Sequence, residues 1–84
     1  MSIDELSTAI SGNIEQAEQL LTAINTSREQ AVQLQGQLMQ LAAESVAAQL
    51  NVCAEELEKA NNQVLGLKSQ LEQARTQAEA AKTA

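Results

Sequence analysis

Proline, histidine and all three aromatic residues are absent from this chain, and cysteine occurs once. Each gap removes a class of protein. A single thiol closes no internal disulfide, and one thiol without histidine makes no zinc cage. Without aromatic rings there is no stacking platform for single-stranded nucleic acid. Basic residues are scarce too: 5 against 11 acids, for a net charge of −6. That balance disfavours phosphate backbones and anionic membrane surfaces, both of which attract basic patches. No uninterrupted apolar run approaches the ~20 residues of a membrane span. Lacking proline and with three glycines, the chain has little material for tight turns.

What remains is alanine, glutamine, leucine and glutamate, all good helix formers. No window alternates apolar and polar residues as a strand would. The expected class is all-α. With 84 residues, one domain over 1–84 is the ceiling. A core of this size rarely supplies more than about 3–5 kcal/mol. Disulfide and metal are excluded, so a second copy or another helical protein is the expected staple.

Ser2 and Glu5 fit an S-x-x-E capping box, with Asp4 and Glu5 in the first turn where a helix dipole favours negative charge. From there apolar residues recur in heptads. With Ile3 at position a, the a residues are Ile3, Ile10, Ala17, Ile24, Ala31 and Leu38. The d residues are Leu6, Asn13, Leu20, Ser27, Leu34 and Leu41. The second half has a residues Leu50, Leu57, Val64, Leu71 and Ala78, and d residues Val46, Cys53, Ala60, Leu67, Ala74 and Ala81. Seams sustained this long read as coiled-coil packing. The second series is offset by two residues from the first, so one straight helix could not present both to the same partner. The expected fold is an antiparallel helical hairpin. Helix 1 spans about 3–42, a turn lies around 43–45, and helix 2 spans about 46–81. Thr26 with Glu29, and Asn51 before Val52, offer competing caps. Using both would give a three-helix bundle.

A second apolar set lies outside the a/d stripes. Ile14 and Leu21 occupy e positions; Val32, Met39 and Val46 recur every seven residues; Val52 and Leu65 stand outside the helix 2 seam. These seven are the candidate interface through which two hairpins would form a four-helix bundle. Lys68, Arg75 and Lys82 fall at e positions and would run beside Asp4, Glu5, Glu15 and Glu18. Glu55–Lys59, Glu72–Arg75 and Glu79–Lys82 are expected pairs within helix 2. Cys53 on the seam is expected to act as a small hydrophobe. Asn13 and Ser27 would either fix register or lie hydrated at the seam edge.

The chemistry-bearing groups are sparse. Glu55, Glu56 and Glu58 splay over different helix faces and make no convergent acid–base pair. No catalytic, cofactor-binding or metal site is expected, nor a small-molecule substrate, nucleic-acid partner or membrane partner. The opening Met1-Ser2-Ile3-Asp4-Glu5 is acidic and lacks the apolar region of a cleaved signal peptide. A cytoplasmic location is the default expectation, with export lacking a cleaved signal left open.

Length, the Ser2-Ile3-Asp4-Glu5-Leu6 opening, paired heptad helices and a mid-chain break together resemble the small helical hairpins of the WXG100 (ESX) type. The chain has no W-x-G turn, and Gln77–Ala84 contains no Y-x-x-x-D/E signal, so the resemblance is one of format. It implies a secreted helical factor or the binding partner of one. The reading from the residues themselves is a non-catalytic structural or adaptor protein that self-assembles, as part of a larger particle.

Overall fold

A computed structural model describes residues 2–84 as two long helices, α1 (Ile3–Gln40) and α2 (Glu44–Ala80), packed against each other as a hairpin. Among the described residues there is no strand. The helices run unbroken through Thr26 and Asn51, so the three-helix alternative is not realised. The side chains that suggested caps are used inside the helices instead. Thr26 Oγ1 donates to the Thr22 carbonyl at 3.0 Å, and Asn51 Nδ2 donates to Glu55 at 3.2 Å.

At the start of α1, Ser2 Oγ accepts from the Glu5 amide at 3.1 Å, as the capping box predicts. The turn lies at Leu41–Ala43, two residues before the expected place. Its geometry explains the difference. Ala42 takes the left-handed conformation, φ 58°. The Ala42 amide donates to the Met39 carbonyl at 3.1 Å, and the Ala43 amide to the Leu38 carbonyl at 2.9 Å. This pair of bonds is the Schellman stop, which satisfies the last carbonyls of a helix. Glycine usually occupies the left-handed position, and alanine there gives no sequence signal. α2 then starts without a side-chain cap.

The Cα positions extend over 64 × 14 × 13 Å. Two straight helices with axes 8–10 Å apart would be about 13 Å wide but only ~5 Å thick. The near-equal short dimensions mean that the two helices wind around each other. A strict heptad seam imposes that winding, left-handed.

Ala42 carries the one positive φ among the described non-glycine residues, at a cost of about 1–2 kcal/mol to an L side chain. Ala42→Gly is expected to raise unfolding stability by about 0.5–1 kcal/mol, since glycine takes this φ freely but loses more entropy on folding. Ala42→Val is expected to lower it. Urea denaturation followed by circular dichroism measures both.

Candidate interaction faces

The seam between the helices is not the expected one. Every a residue of α1 is buried or half-buried, but its partners are the e residues Ser7, Ile14, Leu21, Arg28 and Gln35. The d residues of α1 are all exposed. α2 behaves alike. Its a residues pack inward with Ala47, Ala54, Asn61, Lys68 and Arg75 at e, while Val46, Cys53, Leu67 and Ala74 at d are exposed. Periodicity could not have revealed this, because an a/e seam has the same alternating 3–4 spacing as an a/d seam. Both helices are rolled by one position.

The placement of charge matches the roll. The acids of α1 that face α2 lie at b, and b adjoins e on a helical wheel. Rolling toward e brings Lys82 to Asp4, Lys68 Nζ to within 3.3 Å of Glu18, and Arg75 to within 3.4 Å of Ser11 Oγ. Ser7 Oγ donates to Glu79 on the same edge. Each step up α1 is matched by an equal step down α2, so these pairs define one register. Glu5 and Glu15 take no part. Within α2, Lys59 pairs with Glu56 at 3.1 Å rather than with Glu55, and Arg75 turns to Ser11 instead of Glu72. The Glu79–Lys82 pair forms as expected, at 3.2 Å.

The seam itself is thin. Its most buried apolar residues are Ile14 and five alanines, and among the described residues no large side chain is fully enclosed. Asn61 Oδ1 is buried without a hydrogen-bond partner.

The roll gives the hairpin two unlike faces. In an antiparallel pair a two-fold axis perpendicular to the plane relates the helices, so equal heptad positions emerge on the same face. The b/e edge carries the cross-helix ion pairs. The opposite face carries both d stripes, which meet across a shallow apolar groove of about 300 Å³ where Leu20 of α1 faces Leu67 of α2, floored by Ala17, Val64 and Leu71. Leu6, Leu34 and Leu41 continue the α1 stripe, the last 76% exposed.

Of the seven candidate interface residues, Ile14 and Leu21 are taken into the hairpin's own seam and offer no surface. Val32, Met39, Val46, Val52 and Leu65 are exposed, each near 50%. They do not form one patch. Val46 lies on the d stripe of α2, Val32 and Met39 on the b side of α1 with Leu65 on the same face of α2 but more than two helical turns further from the turn, and Val52 sits toward the back of α2. The larger apolar surface is the d stripe, which the heptad pattern places at the seam. Cys53 belongs to it and is exposed, contrary to the expected burial. Asn13, at the groove, and Ser27 are exposed on the same stripe.

Among the described residues no group of three or more candidate ligands could hold a metal ion, and no helix is long and apolar enough to cross a membrane. No protein-family model, curated protein or solved structure matches the chain.

Two consequences can be measured. The orphaned Asn61 oxygen costs about 1–3 kcal/mol, and its e-position neighbours Ala47 and Ala54 are small. Asn61→Ala is therefore expected to stabilise the fold by about 1 kcal/mol in urea titrations. At the open end of the hairpin, the Ser7 hydroxyl, and after it Lys82, holds the Glu79 carboxyl below its usual range. Hydrogen bonds to Asp4, then Glu79, hold Lys82 above its own. A lowered carboxylate stabilises above its unfolded pKa and loses that contribution as pH falls through the folded one. A raised lysine stabilises below its unfolded pKa and loses the contribution as pH rises through the folded one. The tie is thus complete between the carboxylate and lysine ranges and weakens on either side. Carboxyl carbon shifts followed by NMR are expected to show Glu79 titrating low, and moving back up in Ser7→Ala.

Proposed function

We propose that this chain is a non-catalytic structural or adaptor protein that acts by helix–helix packing and self-assembly, as a component of a larger particle. The observation that carries the reading is the exposed d stripe. Leu6, Leu20, Leu34 and Leu67 are each 42–49% exposed, and covering the rest of each would contribute about 1 kcal/mol. The partly exposed ion pairs that favour the roll are weak, because solvent screens exposed charges. A lone hairpin would do better by burying the leucines in its own seam. The roll makes energetic sense when something else covers them.

A second reading keeps the hairpin format in view. Two helices of nearly equal length joined by a three-residue turn are the format of the WXG100 type. On that reading the stripe would receive another helical protein, and the chain would be an exported factor or its partner. Recovery from culture medium would favour it.

Self-assembly makes stability depend on concentration. The thermal midpoint by circular dichroism is expected to rise by about 3–6 °C for each tenfold increase in protein concentration, with light scattering giving a multiple of the 9.0 kDa chain mass. A midpoint independent of concentration, together with a monomeric mass, would end the self-assembly reading.

A further inference from the structure

We infer that the d stripe is the contact face for a second copy of this chain, docked with its hairpin axis reversed. The inference rests on the self-assembly reading above and adds the face, the occupant and the orientation.

Charge selects the occupant. The chain carries a net −6, so two copies repel unless they meet on a neutral surface. No d residue in either helix is charged. The flanking g rows are glutamine or alanine throughout except at Glu56. Every other acidic residue lies at b, c or f, and every basic residue at c or e. A partner of opposite charge would be drawn to the b, c and f surfaces. The uncharged stripe suits a copy bearing the same charge. Glutamine, both donor and acceptor, can pair with its own kind across such a contact.

Area permits it. The hairpin is 64 Å long. With axes 8–10 Å apart and side chains included, the face is roughly 18 Å wide, on the order of 1,100 Å² per copy. A stable interface of standard size needs about 800 Å² per partner.

Side-chain size selects the orientation. Along the hairpin, the Leu20/Leu67 level is bulky, and the next level toward the turn, Ser27/Ala60, is small. If the two hairpins pointed the same way, each level would meet its own kind, bulk on bulk and gap on gap. Reversal about an axis midway along the stripe sets Leu20/Leu67 against Ser27/Ala60 of the second copy. It likewise sets Leu34/Cys53 against Asn13/Ala74. The four middle levels then each combine large with small, as close packing requires, while the end levels bring Leu6/Ala81 against Leu41/Val46. Under reversal α1 stacks on α1 and α2 on α2, so Cys53 of one copy faces residue 74 of the other.

The test is a disulfide trap in the full chain. Cys53 and position 74 lie about 31 Å apart along one α2, too far for a bond within a chain. Ala74→Cys, oxidised with glutathione disulfide, is expected to give a covalent dimer on non-reducing gels. The native chain, with its two Cys53 thiols also about 31 Å apart, is expected to give none. Leu20→Glu should weaken the dimer at least tenfold in sedimentation, whereas Met39→Glu on the other face should leave it unchanged. A dimer in solution with no cross-link from Ala74→Cys, a disulfide in the native chain, or loss of the dimer with Met39→Glu alone would overturn the reversed d-face contact while self-assembly survived. A native chain that sediments as a monomer would overturn both.

Discussion

The structure depends on which edge of each heptad stripe the two helices turn toward each other. Lysines and an arginine at e on α2 reach two acids and one hydroxyl at b on α1, and this happens when both helices roll by one position from an a/d seam. Each contact is weak, because the groups are partly exposed and screened. What they supply is direction rather than energy. The long stems of Lys68 and Arg75 lie along the seam with their charged heads at its edge, filling space that a shorter side chain would leave empty. The same roll that makes these pairs turns the leucines of the d stripe outward.

The polar seam and the apolar outer stripe are two results of one choice. Ser7, Arg28, Gln35, Asn61, Lys68 and Arg75 all occupy e positions turned toward the partner helix. A seam so composed buries little apolar area, and apart from Ile14 its most buried apolar places are taken by alanine. Alanine lets the backbones approach closely but contributes little burial free energy. The matched steps of Asp4–Lys82, Ser11–Arg75 and Glu18–Lys68 fix the register that so featureless a seam would otherwise leave loose. A slip by one residue would break all of them together.

Much of this architecture was legible in the sequence, and the illegible parts have physical causes. Ser2 and Glu5 announced the start of α1 because a capping side chain is a local signal. The two-residue phase offset announced the reversal because no straight helix tolerates it. The turn was misplaced by two residues because Ala42 adopts a left-handed conformation with no glycine to mark it. Thr26 and Asn51 imitated caps because their side chains bond equally well to neighbours within a helix. The seam departs from the expected one for a deeper reason. Both a/d and a/e pairings satisfy the same heptad, so only the placement of charge decides between them. The three cations at e beside acids at b were the available clue. The candidate interface of Ile14, Leu21, Val32 and Met39 followed from the wrong roll; with the right one, Ile14 and Leu21 turn inward and the leucines of d take the outer place.

The roll also bears on how folding and association relate on the proposed assembly. A hairpin with an apolar seam would hold itself together and associate as an afterthought. Here a full stripe of large hydrophobic side chains, Leu6, Leu20, Leu34 and Leu67 among them, stays outside the intramolecular contact. An obligate assembly places its principal burial between chains, so that neither partner is well stabilised alone. The division of labour is then specific. Charge and small residues within the hairpin determine how the helices align, while the neutral leucine-bearing stripe supplies the driving force when a surface covers it. Removing charge from the e/b edge would leave the helices free to roll back and bury d within the hairpin, producing a steadier monomer with less to offer a partner. On this view the weak polar contacts favour assembly by keeping the apolar stripe from being consumed internally, even though none of them touches the second copy.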